Sequence, residues 1–399
     1  MVADNPKWTV MVFMGVANLE NAADMTEEAR KDLAELAAIK THPGLNVFAQ
    51  KHDANGNVER YRVDHGELGE LPIGDDERDP TRGNALGKFV RACLEIADHG
   101  PTDRSILVLW GHAYQFTVGH QPAANGVESL DFGELVEVLK AIQNSIPSKY
   151  TDKRLDLVGF DACDLSLIEV ANVLSPFAKY LVASEIGIPL PGWPYDRVFS
   201  RLSQTSNGNG APEPMSPADL GTFIVRQFCG GYRDRRASLT LLDLSKAKDV
   251  FTKTEALASA LARAASRDRR EREVIRDLFT RSQTLPGRPF IDVADFCVNL
   301  TWHCADPEVQ SAATELGDVL IRPIDNASGV PGVRIPDRLR PFVVEHGRNG
   351  HETAKLQGAA LYAPHVAGPR FDWPTMKEMY DKFAPSETLW NAVIHAFAS

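Results

Sequence analysis

A cysteine and a histidine each stand just past the end of a short apolar run, and together they are what thiolate chemistry requires. Cys163 follows Leu155-Asp-Leu-Val-Gly-Phe160 by way of Asp161 and Ala162, and His112 follows Ser105-Ile-Leu-Val-Leu-Trp110 by way of Gly111. A thiolate is a strong nucleophile; a nearby imidazole favours that ion and later gives a proton to the leaving group. Beyond Cys163 the segment Asp164–Leu174 has apolar residues at helical spacing (Leu165, Ile168, Ala171). That spacing predicts a helix N-terminus at the thiol, where the macrodipole and free N–H groups would favour the anion. The amides of Cys163 and Ala113 are candidates for an oxyanion hole. Each residue also has a plainer reading. A cysteine at a strand end commonly packs as a small hydrophobe, and a lone histidine after a strand commonly belongs to a loop.

These residues need a scaffold that brings distant strand ends together. Nearly continuous apolar runs predict strands at Trp8–Gly15, Leu45–Gln50, Ser105–Trp110, Leu155–Phe160 and Lys179–Ala183, the pattern of a sheet covered on both faces. Between them, Met25, Ala29, Leu33 and Leu36, then Phe89, Cys93 and Ile96, then Phe132, Leu135, Leu139 and Ile142 fall at helical spacing. Strand–helix–strand units of this kind give an α/β fold: a mostly parallel sheet flanked by helices. Ligands of such sheets bind outside the carboxyl ends of the strands, where His112 and Cys163 fall. The second half reads as a strand at Ser238–Leu244, one long charged helical stretch from about Lys246 to Ser282, helical pieces near Phe290–Cys304 and Glu308–Ile321, a strand at Gly358–Tyr362 and a closing helix from Ser386. The organisation expected is a core over residues 7–244 and a mixed C-terminal subdomain over 245–399 packed on it.

His112 and Cys163 are 51 residues apart, close to the roughly 50-residue His-to-Cys spacing of caspases. Several segments together resemble the clostripain family of cysteine peptidases, in the caspase-like clan. Trp8-Thr-Val-Met-Val-Phe-Met-Gly15 with Asn18-Leu-Glu20 is similar to the family's first strand and helix start, and Leu107-Val-Leu-Trp-Gly-His112 to its histidine strand. Gly159-Phe-Asp-Ala-Cys163 matches its nucleophile motif. Ala183-Ser-Glu185 and Pro191-Gly-Trp-Pro-Tyr195 resemble the strand and loop beside its substrate cleft, and Gly358-Ala-Ala-Leu-Tyr-Ala-Pro364 and Thr388-Leu-Trp-Asn391 its C-terminal region.

The resemblance implies a caspase-like fold and a cysteine endopeptidase acting on protein or peptide substrates through a Cys163/His112 dyad and an acyl-enzyme. It implies that Asp161 lies in the pocket for an Arg or Lys at P1, with Ser184, Glu185 and Trp193 beside it. A buried carboxylate does select a guanidinium and exclude acidic side chains. The alternative for Asp161 is an N-cap of the helix expected after Cys163. Two departures stand out. The family usually has glycine after the histidine, whereas this chain has Ala113, which strains an oxyanion hole if positive φ is needed there. Several relatives cleave themselves between the histidine and the cysteine, yet Ala113–Leu139 contains no Lys or Arg. Basic alternatives are Lys149, Lys153, Arg154 and the arginine-rich Arg263–Arg276, the latter also readable as a solvated helical face. Ser203–Pro217 reads as a surface linker or a cover for the cleft.

Composition narrows the rest. Acidic side chains outnumber basic ones 54 to 43, for a net charge of -11. That disfavours nucleic-acid partners. No apolar run is long enough for a membrane span. The polar start from Met1 to Lys7 lacks the pattern of a secretory signal, and five cysteines are too few for a disulfide framework. The expectation is a cytoplasmic enzyme kept in check by an activating or inhibiting protein partner. No zinc-peptidase, Walker or dinucleotide motif occurs, so neither metal nor cofactor is expected. Calcium on the acidic loop Asp75, Asp76, Glu77 and Asp79 is the alternative, while Cys297 and Trp302-His-Cys304 read as a packed helix. The rival functions are a catalytically inactive binding or regulatory module of the same fold and an unrelated doubly wound ligand-binding domain.

Overall fold

The structure is a computed structural model and describes residues 6–15, 25–52, 57–74, 84–114, 117–123, 126–146, 152–203, 215–284, 289–321, 341–350, 353–363, 390 and 393. Chain order begins β1 (Trp8–Gly15), α1 (Thr26–Ala37), β2 (Leu45–His52), β3 (Val58–Asp64), β4 (Glu67–Glu70), α2 (Asn84–Ile96) and β5 (Arg104–Gly111). It continues with β6 (Ala113–Tyr114), β7 (Thr117–Ala123), β8 (Gly126–Asp131), α3 (Phe132–Ser145), β9 (Leu155–Asp161), α4 (Ile168–Leu174) and β10 (Ala178–Ala183). Then come α5 (Tyr195–Ser203), α6 (Pro217–Gly231), β11 (Ala237–Asp243), α7 (Ala247–Arg267), α8 (Arg269–Arg281), β12 (Phe290–Asp292), α9 (Val293–His303), α10 (Pro307–Leu320), β13 (Val343–Asn349) and β14 (Ala360–Tyr362).

Nine strands form the main sheet in the order β13-β11-β10-β9-β5-β1-β2-β3-β4. The five central strands, β10, β9, β5, β1 and β2, run parallel, and antiparallel strands flank them on both sides. Their side chains alternate between two covered faces, which is why the runs read as continuously apolar. Val10, Val12, Ile106 and Val108 pack with α1, α5 and α6 on one face. Met11, Phe13, Leu107, Leu109 and Phe160 pack with α2, α3, α4 and the C-terminal helices on the other. From β1 the chain adds β2 on one side, then β5, β9 and β10 on the other. The carboxyl ends of β5 and β9 therefore lie together next to the point where strand order reverses.

Three expectations change. The charged stretch after β11 is two helices, because extended Asp268 (φ -136) ends α7 and caps α8 through Arg270 N–H. The loop expected from Asp64 is partly a hairpin, with His65 (φ 50) and Gly66 (φ 96) turning β3 into β4. The helical piece at Phe290 starts as strand β12, which pairs with β14. β13, from the second half of the chain, pairs with β11 at the edge of the sheet. The acidic loop 75–79, most of Ser203–Pro217 and most of the closing helix lie outside the described residues. Arg263 and Arg267 pair with Glu308 on α10, and Arg269 with Glu273 on exposed α8, as expected of a solvated helical face. No helix among the described residues is long and apolar enough to cross a membrane. No cluster of three metal-ligating side chains occurs among them.

Candidate active site

The register of β5 and β9 places the two reactive residues side by side. Trp110 pairs with Asp161 at the last rung of their parallel ladder. His112 and Cys163, each two residues further on, leave the sheet together, and both are half-buried. Gly111 makes this exit possible. Its φ is 138°, and a Cβ there would come 2.5 Å from the Gly15 carbonyl oxygen on the neighbouring strand. The glycine requirement thus falls before the histidine. Ala113 is not among the described residues with positive φ; it begins β6 opposite Val118.

The helix expected at Cys163 is not there. α4 starts at Ile168, and between them the chain turns through Asp164, whose φ of 59° lies in the left-handed region that Asp tolerates better than most residues. The turn directs three successive amides at the end of β10: Asp164 N–H to Ile186 O (3.3 Å), and Leu165 N–H (2.8 Å) and Ser166 N–H (2.9 Å) to Ser184 O. Ser184 Oγ bonds the amide and carbonyl of Ile186 (3.1 and 2.7 Å). The thiol accepts the Ile188 N–H at 3.3 Å. This amide is an N–H donor at the sulfur, where the expected helix N-terminus would have placed its own.

Asp161 lies on the α1 face of the sheet beneath the loop from Ile186 to Tyr195. Its Oδ2 accepts Trp193 N–H (3.0 Å) and Tyr195 O–H (2.9 Å). It does not cap a helix. Burial pushes its carboxyl up to about 7, against the two hydrogen bonds, which pull it down. Among the described residues its buried Oδ1 accepts no hydrogen bond. Two glycines let the loop close over this carboxylate. A Cβ on Gly192 (φ 82) would sit 2.7 Å from Asp161 Oδ2, and one on Gly159 2.6 Å from the Trp193 indole. Trp193 is 1 % exposed, and Tyr232 O–H holds the Gly192 carbonyl at 2.8 Å.

Sequence reasoning missed Asp32, Glu35 and Tyr195 as parts of this layer. Asp32, on α1, accepts Trp110 Nε1–H at 2.6 Å. Burial, then the Asp161 charge, push it up to about 9. Its position on the apolar stripe of Ala29, Leu33 and Leu36 was the available signal. Glu35 accepts Tyr195 N–H at 2.8 Å. Two predicted residues turn elsewhere. Ser184 and Glu185 are fully buried, and Glu185 points to the C-terminal segment, where its Oε2 accepts Gly358 N–H at 2.9 Å.

Residues 13–294 match the Peptidase C11 model of the clostripain family. The chain belongs to the clostripain family of cysteine endopeptidases. Among solved structures, this clostripain-family chain is similar to an inactive zymogen C11 protease from Parabacteroides distasonis, with 14% identity, a TM-score of 0.62 and coverage of 96% of this chain and 99% of that one. It is also similar to a secreted C11 cysteine protease from Bacteroides thetaiotaomicron bound to an irreversible peptide inhibitor, with 15% identity, a TM-score of 0.59 and coverage of 97% and 99%. At these identities the likeness concerns the fold, a mostly parallel sheet flanked by helices. No curated protein matches the chain in sequence.

Proposed function

We propose that this clostripain-family peptidase cleaves peptide bonds after Arg or Lys, with Cys163 as nucleophile and His112 as general acid and base. The observation that carries the reading is the ladder rung Trp110–Asp161, which delivers both residues to one edge of the sheet. In this mechanism the Cys163 thiolate attacks the scissile carbonyl and the amides of Cys163 and Ala113 receive the oxyanion. His112 protonates the leaving amine to give the acyl-enzyme, then takes a proton from the water that hydrolyses it.

Asp161 supports a cationic P1. A buried carboxylate whose Oδ1 accepts no hydrogen bond among the described residues has an acceptor left for a guanidinium or ammonium. In the present arrangement Gly192, Trp193 and Tyr195 cover it. A P1 side chain reaches it only after the Pro189–Trp193 segment shifts, which supports an enzyme held latent until a partner or processing event opens the pocket. Five free thiols accord with action inside the cell.

Hydrolysis of fluorogenic peptides bearing Arg, Lys, Asp or Ala at P1 tests the proposal, with Cys163→Ala and His112→Ala beside the wild type. The assay is run before and after limited proteolysis to open the pocket, and cleavage after Arg or Lys that appears or rises on opening and is lost in both variants is expected. Activity that survives in Cys163→Ala, or a preference for Asp or Ala at P1, refutes it.

A further inference from the structure

The loop that carries Cys163 is held from two sides. On one side stand the carbonyls of Ser184 and Ile186 described above. On the other is a strap from the far end of the chain, Gln357–Tyr362. Ser166 Oγ donates to Gly358 O at 2.7 Å, Ala360 N–H donates to Ser166 O at 2.9 Å, and Leu167 bridges Ala360 in parallel. Further along, Tyr362 N–H donates to Glu169 Oε1 at 3.0 Å. Gly358 itself has φ 105°, and a Cβ there would come 2.8 Å from Thr240 Cγ2, so the strap has one seat on β11.

One residue joins the two sides. The backbone of Glu185 lies in the segment that receives the Cys163 loop, and its side chain, 0% exposed, accepts Gly358 N–H. Beside it, Asp292 Oδ2 accepts Gln357 N–H at 2.6 Å, so a second buried carboxyl holds the same end of the strap. Burial, then the Asp292 charge, push the Glu185 carboxyl well above its ordinary range, and burial pushes Asp292 up to about 6. His346 lies 3.6 Å from Glu185, but burial pushes its imidazole down to about 3, so it is neutral and no ion pair forms. A buried acid is costly to keep. Its service is to dock the strap.

We infer that Glu185 is a positioning residue for the nucleophile, fixing the Cys163 turn through the Gly358 strap and Ser166 rather than touching substrate. The inference rests on Cys163 being the nucleophile. It separates Glu185 from Asp161: Asp161 acts on which side chain enters, Glu185 on how well the thiol is aimed.

The test compares Glu185→Ala, Glu185→Gln and Ser166→Ala in the full chain. It reads kcat and KM with an Arg-P1 peptide, the rate of Cys163 alkylation by iodoacetamide located by peptide mass mapping, and the thermal midpoint. Glu185→Ala is expected to lower kcat by about 10- to 100-fold with little change in KM, since sub-ångström misplacement of a reacting group acts on turnover. Alkylation of Cys163 slows with it. Glu185→Gln restores both, because its amide oxygen still accepts from Gly358 N–H in a side chain of the same shape. A folded Glu185→Ala with normal kcat and alkylation overturns the inference, as does a Gln variant as impaired as Ala. Should Glu185→Ala fail to fold, Ser166→Ala decides the matter by deleting only the hydroxyl bond to Gly358: a lower kcat at unchanged KM supports the inference, and wild-type kcat refutes it. Alkylation reads the thiol even where peptides are not cleaved, and a Cys163→Ala enzyme that stays active refutes the underlying nucleophile assignment instead.

Discussion

Asp161→Asn sets the stability of the protein against its proposed specificity. An aspartate at its ordinary value of 3.8 that is pushed up to about 7 in the fold binds its proton more tightly when folded than when unfolded. Between those values the native state carries the extra proton, so stability falls as pH rises and the loss is complete above about pH 7. Three units at about 1.4 kcal/mol each put that loss near 4 kcal/mol. Asparagine keeps acceptors for Trp193 N–H and Tyr195 O–H and has no ionisation to suppress. Below about pH 7 the native carboxyl is neutral, so the amide's hydrogen bonds match its own within roughly 1 kcal/mol. The stability of the variant relative to the wild type should therefore improve by about 4 kcal/mol between about pH 4 and pH 8. With an unfolding entropy of about 2.1 cal/mol/K per residue, that is roughly 5 °C in thermal midpoint for a chain of this length. Over the same range, kcat/KM toward Arg-P1 peptides should fall by about 100- to 1,000-fold at pH 8 from loss of the charge partner. Thermal midpoints of both proteins across pH, with Arg-P1 and Ala-P1 kinetics, measure both effects. A midpoint difference that does not change with pH would falsify the buried-acid reasoning. Retained preference for Arg would remove Asp161 from the P1 pocket.

Other perturbations probe the same layer. His112→Ala should lower kcat by about 100- to 10,000-fold, read in peptide hydrolysis with the thermal midpoint unchanged. Gly111→Ala places a Cβ 2.5 Å from Gly15 O, and should destabilise the fold by more than about 1 kcal/mol in denaturant titration while lowering turnover. Trp193→Ala empties a fully buried site over Gly159 and should cost about 3–5 kcal/mol. By opening Asp161 to water it should also shift the acidic limb of the kcat/KM profile to lower pH, checked by kinetics across pH.

What could be read beforehand follows from how local each determinant is. β1, β5, β9 and β10 were legible because a strand covered on both faces writes its burial into consecutive residues. The outer strands were not. Val58-Glu-Arg-Tyr-Arg-Val-Asp64 and Val343-Val-Glu-His-Gly-Arg-Asn349 carry charges on a partly exposed side, so their patterns resemble loops. The turn after Cys163 misled for another reason. Leu165, Ile168 and Ala171 keep helical spacing, but Leu165 and Ser166 spend their amides on Ser184 O and Ser166 also on Ala360, contacts made far away in sequence. Glu185 sits in a segment that resembles a cleft strand, yet only the fold shows that its side chain points at Gly358. The placement of His112 and Cys163 at neighbouring strand ends was legible, because topology alone sets it.

The strap has a consequence for biosynthesis. Gly358 and Ala360 are translated 195 and 197 residues after Cys163, and at about 5–20 residues per second that interval lasts roughly 10–40 s. Throughout it the nascent chain holds the thiol and histidine but lacks the piece that docks on Ser166 and Glu185. The order of synthesis thus leaves the loop around Cys163 without its strap until Gly358 and Ala360 have left the ribosome, so a nascent chain short of them carries the thiol on an unfinished support.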